Sequence, residues 1–389
     1  MVEFDATRPV AFDGAARARV FEGLEWSDVL TRRELLPDLP AQVLLHAGPP
    51  FPRNDPRSIP VPVLQAAAQA LLFEGAADSF EHALEQIQRL QITLKPAQDH
   101  GIATPLAQVV SASMPLAVIS DGETRLCAPL IEGPPPALRF GSAEPDCIRR
   151  LRHIADWAAR ALTPALRGRP VALDRVVAQA LAAGDDCHAR TGAANHALLT
   201  ALDGLDSGSR RPIEANPGFV LPVLMAASGA ALRMRSPDIV AAGGNGLLFG
   251  MRLAGAGSTW HTCPASAPVG PRLPGREQAG VLGAIGDSAL IDFAGLGGQA
   301  LASAPALLAE WRGFLPADAS GRAARILEPA SQLPSLDRIL MQRCAPIVHL
   351  AMLDSTAGGL IGRGFYEVPL ELFDSLVART APAPAPAPA

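Results

Sequence analysis

The 389-residue sequence predicts a multi-domain α+β protein in which two mixed α/β regions flank a helical middle domain. Short apolar runs bounded by turn residues alternate with helical patterns up to residue 145. Alanine and leucine then recur at helical spacing through residues 146–235. After Pro237, strand-like runs and glycine-rich turns return. The length also exceeds what one compact core usually holds. The expected units are an N-terminal α/β domain over 1–145, a helical domain over 146–235 and a C-terminal α/β domain over 236–380. An Ala-Pro tail over 381–389 is expected to be extended and unpacked.

In order, Ala15 to Leu24 reads as a short helix and Val43 to His46 as a strand stopped by Gly48-Pro49-Pro50. Val61 to Ala77 is an apolar helix. Asp78 opens another, with Glu81 at capping-box spacing, running to about Leu90. Ile92 to Leu94, Gln108 to Ser113, Leu116 to Ser120 and Thr124 to Leu130 read as strands. Asp146 to Leu166, Leu173 to Ala183, Cys187 to Leu202 and Gly218 to Leu232 read as helices. Leu247 to Ala254 and Thr259 to Cys263 form an expected hairpin. Gln299 to Trp311 reads as a helix, Ile347 to Met352 as a buried strand and Leu370 to Arg379 as a closing helix.

Hydrophobic residues make up 49% of the chain and charged ones 18%, so it is expected to fold. A net charge of -5 argues against binding nucleic acid or anionic lipid, and leaves a small anionic substrate open. Five cysteines without C-x-x-C spacing read as reduced thiols. With no apolar run long enough to span a bilayer and no leader-like start, a cytoplasmic location is expected, with no membrane partner.

Glycine density in the second half suggests exposed backbone amides suited to anions. Gly295 to Gly298 leads into the helix expected at Gln299, where Gly297 and Gly298 would present N–H groups; a tight structural turn is the plainer alternative. Gly286-Asp287-Ser288 offers a base or acceptor, or simply an Asx turn. In Gly184-Asp185-Asp186-Cys187-His188-Ala189-Arg190, a helical reading puts 186 with 190 and 185 with 188 on shared faces. An Asp, a His and an Arg would then cluster, or merely cap a helix. Asp185-x-x-His188 lacks a nearby third ligand, so no metal is expected. Arg363 in a second glycine turn pairs with an anion or is solvated. Ser113 and His46, each at a strand end, contact a ligand or satisfy local backbone. No cofactor is implied, since neither a Walker loop nor a dinucleotide fingerprint is present.

An ordered set of motifs resembles the YahG/YlbE-like family, whose best-understood member is the AllG-type subunit of oxamate carbamoyltransferase. The set comprises Leu44 to Pro50, Leu72 to Gly75, Ser111 to Pro115, Arg139 to Gly141, Gly184 to Arg190, Asn245-Gly246 with Phe249-Gly250, Gly286 to Ala289, Gly295 to Gly298, Ala304-Pro305 and Gly362 to Leu372. The resemblance implies a carbamoyltransferase subunit in allantoin or related purine nitrogen breakdown. The family enzyme interconverts oxalurate plus phosphate with oxamate plus carbamoyl phosphate. Implied partners are an FdrA-type subunit, which resembles succinyl-CoA synthetase, and a further small subunit; a homo-oligomer is also open. On this reading His188, Asp287 and Asp186 are the catalytic candidates. Arg190, Asn245, Gly246, Ser288, Gly297, Gly298, Ser113, His46 and Arg363 are the binding candidates. The chain departs from the family at Gln98-Asp99, where two histidines are usual, at Gly244, where arginine is usual, and at His349 to Ser355, where Asn, His and Lys are usual. These losses keep two other readings open: a catalytically silent assembly subunit, and an amidohydrolase-like enzyme on ureido compounds.

Overall fold

The computed structural model describes residues 12–52 and 55–380. The acidic start and the expected Ala-Pro tail lie outside the described residues.

The α+β class holds, as helices pack around four small sheets among the described residues. The first sheet is antiparallel in the order β5–β4–β1–β6, formed by β1 (Glu25–Thr31), β4 (Pro115–Ser120), β5 (Arg125–Pro129) and β6 (Val171–Ala172). Strand β1 escaped the sequence reading for a physical reason. A bulge between Trp26 and Asp28 puts the buried Trp26 and Val29 three residues apart, which breaks the two-residue period of a strand. The strand expected over Gln108 to Ser113 is instead a single bridge between Val110 and Leu45. Glu74 captures the Ser111 hydroxyl (2.7 Å) and both the amide (2.6 Å) and hydroxyl (2.9 Å) of Ser113, so the chain turns there.

Strands β2 (Val43–His46) and β3 (Thr93–Pro96) pair in parallel, which requires a crossover. Helices α1 (Val61–Glu74) and α2 (Phe80–Gln88) supply it. The cap of α2 is Ser79, which accepts from the His82 amide, rather than the expected Asp78. The third sheet, β10–β7–β8–β9, comprises β7 (Ile239–Asn245), β8 (Leu248–Leu253), β9 (His261–Pro264) and β10 (Ile285–Gly286). Strands β11 (Ile347–Leu353) and β12 (Leu360–Glu367) form a hairpin.

Helices α3 (Asp146–Trp157), α4 (Leu173–Ala182), α5 (Gly192–Ala201) and α6 (Val220–Arg235) occupy the alanine-rich stretch. Along α6, every residue from Val220 to Leu232 except Leu221 is buried. A helix apolar on all sides belongs in a core. It packs against β4, β5, β7 and α7 (Ala289–Phe293), and so ties the first and third sheets together. Each large aliphatic side chain buried there contributes about 1.5–3 kcal/mol.

Two expected helices are corrected. Cys187 to Leu202 is helical only from Gly192, and Gln299 to Trp311 resolves into two 3₁₀ turns followed by α8 (Pro305–Glu310). The closing helix is α9 (Leu370–Thr380). No helix among the described residues is long and apolar enough to cross a membrane.

Candidate functional site

The 184–191 loop is shaped by its own carboxylates. Asp186 accepts from the amides of Arg190 (2.6 Å), Ala189 (3.1 Å) and His188 (3.4 Å). Asp185 accepts from Ala193 (2.7 Å) and Ala194 (2.9 Å), satisfying the open first turn of α5. Cys187 takes a left-handed φ of 66°. The chain therefore wraps around Asp186, and the helical faces expected for 186/190 and 185/188 do not form.

This wrapping delivers His188 to a partner far away in sequence. Its Nδ1 lies 2.8 Å from Asp292 Oδ2, on α7. His349, on β11, places its Nδ1 2.7 Å from Asp186 Oδ2. Asp292 Oδ1 also accepts from the amides of Gly298 (2.7 Å) and His349 (3.2 Å). The two carboxylates are completely buried, His349 is 1% exposed and His188 8%. Trp311 stands edge-on to the His349 ring at 5.0 Å.

Burial opposes charge on His188, yet the charge and hydrogen bond of Asp292, with Asp186 beyond, raise its pKa above the ordinary histidine value. Burial likewise pushes Asp186 up, but the His349 hydrogen bond and charge prevail and hold it below the usual carboxylate range. The Asp292 and His349 positions were not foreseen. The available signal was a single polar residue inside each apolar run, Ala289–Phe293 and Ile347–Leu353.

The expectation of open glycine amides is corrected. Gly297 donates to the Asp186 main-chain carbonyl (2.7 Å) and Gly298 to the Asp292 carboxylate, so both amides are taken up within the protein. A Cβ on Gly297 would lie 2.2 Å from Asp292 Oδ1. The turn is buried and leads into a 3₁₀ turn, not the helix whose dipole the anion reading used.

Asp287 centres a second cluster. It accepts from the amides of Gly48 and Thr104 (both 2.8 Å) and from the Gln98 side chain (2.6 Å). Asn245 donates to the Pro49 carbonyl (2.9 Å) and accepts from Leu247 and Leu248, which closes the β7–β8 turn. Gly246 donates to the Ala284 carbonyl. Ser288 is buried beside Asp287 at the start of α7. His46 is buried with Nδ1 at the Ala47 carbonyl, and burial lowers its pKa to about 4. Asp287 and Asp292 lie near opposite ends of α7, roughly 8 Å apart along a helical path.

The expected residues thus divide between two centres. Asp186, His188, Gly297 and Gly298 belong to one; Asp287 and Ser288, with Asn245 and Gly246 on the adjoining turn, belong to the other, while His46 packs on Phe51. Ser113 is held by Glu74, away from both. Arg363 joins the first centre from outside, with its guanidinium at the Ala189 carbonyl (3.3 Å) and paired with Glu310 (2.8 Å). The partly exposed Arg190 stands on the same loop.

Sequence proximity offered Asp185 beside His188; the fold turns Asp185 to the first turn of α5 and brings two distant donors to His188 instead. Donor atoms of His188, Asp292 and His349 all lie within 4.8 Å of one another. Two imidazoles and a carboxylate suit a transition metal better than calcium or magnesium.

Residues 92–288 match the family described as oxamate carbamoyltransferase subunit AllG. The chain belongs to the AllG family. It is 29% identical to the oxamate carbamoyltransferase subunit AllG of Escherichia coli K12, over 92% of this chain and 93% of that protein. It is also 29% identical to the uncharacterized protein YahG of the same organism, over 88% of this chain and 79% of that protein. A conserved protein of unknown function from Enterococcus faecalis V583 shares the fold, with a TM-score of 0.81, 24% identity and coverage of 94% and 96% of the two chains. The region matched to the AllG family contains Asp186, His188 and Asp287, and ends before Asp292 and His349.

Gly244 leaves no room for a side chain. A Cβ there would lie 2.1 Å from the Ala284 carbonyl oxygen, and Gly48 packs directly against the Gly244 backbone.

Proposed function

We propose that this AllG-family chain is a subunit of a carbamoyltransferase-type complex that transfers the carbamoyl group between a small N-carbamoyl anion of the oxalurate class and phosphate. It would act with FdrA-type and smaller subunits in cytoplasmic purine nitrogen catabolism. The observation that carries the reading is the His188 centre. It combines two buried carboxylate-held imidazoles with Arg363 and Arg190 on its solvent side.

A phosphate oxygen bonds to the carbamoyl carbon as the bond to the oxamate nitrogen breaks. That nitrogen leaves with the electron pair and takes up the proton carried by the phosphate. The departing group is a poor one, so a fixed positive centre where charge develops lowers the barrier most. Arg363 and Arg190 draw the anion to the loop and supply that charge, with the carboxylate-held His188 fixed beside them. Asp287, surrounded by backbone and amide donors, serves as an anchor of the scaffold in this reading.

A specific observation favours the alternative of an assembly subunit: the polar atoms of Asn245 and the amides of Gly297 and Gly298 are satisfied within the chain. The deciding experiment is to co-purify the chain with its genomic neighbours and measure carbamoyl phosphate formed from oxalurate and phosphate. We expect product, and a loss of at least a hundredfold in kcat for an assembled complex carrying His188→Gln. No product from any N-carbamoyl compound with all subunits present would overturn the reading. An unimpaired His188→Gln complex would establish the assembly role.

A further inference from the structure

We propose that His188, His349 and Asp292 bind one divalent transition-metal ion, with Asp186 holding His349 from the outer sphere. The first observation is a bare nitrogen. His349 gives its Nδ1 to Asp186, and its buried Nε2 has no hydrogen-bond partner among the described residues. With Nδ1–H committed to a carboxylate, Nε2 carries a lone pair pointing into protein. This is the arrangement that carboxylate-oriented metal-ligating histidines adopt. A lone pair buried without a donor or an ion is otherwise a destabilising arrangement.

The second observation is spacing. The three side chains each offer a donor atom within 4.8 Å of the others, and the two imidazole centres lie 6.0 Å apart. Two rings sharing one tetrahedral ion, with metal–nitrogen bonds of about 2.0–2.1 Å, have centres roughly 5–6 Å apart. Binding would draw the donor atoms together by about 1 Å, a movement side-chain rotation supplies.

The third observation is charge. Asp186 and Asp292 are both 0% exposed. A divalent ion between the two histidines places positive charge beside both carboxylates, which burial separates from water. The N₂O donor set selects Zn²⁺, Mn²⁺, Fe²⁺ or Co²⁺. Trp311, edge-on to His349, has a buried indole N–H that likewise lacks a partner among the described residues. With the ion bound, both histidines act as neutral ligands.

This inference stands apart from the carbamoyl-transfer reading, because ion binding is measured without substrate. Chelator-dialysed full-length protein is titrated with CoCl₂ and ZnCl₂, desalted, and analysed by metal content, visible absorption and thermal unfolding. We expect one equivalent per chain, cobalt ligand-field bands and a Tm raised by several degrees. His188→Gln, His349→Gln and Asp292→Asn should abolish the bands. Asp186→Asn, nearly isosteric, should fold and weaken binding by about 10–100-fold. Should a ligand variant not fold, the wild-type stoichiometry and spectrum still decide. Less than a tenth of an equivalent and no bands in the wild type would overturn the site, as would wild-type binding by a folded His188→Gln. Ion binding without carbamoyl phosphate formation would count against the proposed function alone.

Discussion

His188 and Asp292, separated by 104 residues, meet in a 2.8 Å contact inside the protein. Asp292 simultaneously fastens the amides of Gly298 and His349. One carboxylate therefore joins the 184–191 loop, α7, the glycine turn and β11. Removing an acceptor of this kind strands several buried donors at once.

Asp292→Ala is accordingly expected to lower the unfolding free energy by about 3–5 kcal/mol, the usual cost of breaking a buried charged pair on one side. Denaturant unfolding with unchanged slope would measure it. A loss below 1 kcal/mol would show that the contact contributes little to the fold.

Gly297→Ala tests the close approach of the turn. The added Cβ would meet Asp292 Oδ1 at 2.2 Å, and Gly297 has a φ of 54°. We expect a loss of about 1–3 kcal/mol from strain and overpacking. A Tm within a degree of wild type would mean that the turn yields freely.

Asp287 sets a pH dependence. Burial pushes its carboxyl up to about 7, against the hydrogen bonds from Gly48, Thr104 and Gln98 that favour the ionised form. Between about pH 4 and pH 7 the folded state then retains a proton that the unfolded state has released, so this group's contribution to stability falls as pH rises. The decline ends above about 7, where both states are ionised. Asp287→Asn cannot titrate. The stability of wild type relative to Asp287→Asn should therefore fall by a few kcal/mol from pH 4 to pH 7.5, by order of magnitude. A flat or rising difference would contradict it.

Arg363 and Ser113 separate binding from scaffolding. The Arg363 pair with Glu310 is half-exposed, so Arg363→Ala should change stability by less than about 1 kcal/mol. On the proposed function, its KM for oxalurate should rise on the order of tenfold. Ser113→Ala removes the hydroxyl hydrogen bond to Glu74, keeps the amide one, and should cost about 1 kcal/mol while leaving KM unchanged. A raised KM for Ser113→Ala with a normal one for Arg363→Ala would reverse the two assignments.

The α+β class, most helices and the strands β2 and β3 were legible because each depends on local periodicity and turn residues. Helix α6 shows this well: its unbroken small and apolar run can only be stable in a core. Strand β1 was hidden, because a bulge moved Val29 off the expected face. His188 and Asp186 could be singled out from a local motif. Their partners could not, since Asp292 and His349 differ from ordinary buried polar residues only by what stands opposite them.

Sequence by itself determined most of the segments that are helix or strand, because those properties follow from neighbours a few residues apart. Tertiary structure alone decided that the Gly297 amide ties to the Asp186 main-chain carbonyl rather than to a ligand, and that Asp287 and Asp292 belong to separate clusters. Such outcomes depend on distances of about 3 Å between residues a hundred or more positions apart, and no local pattern encodes them.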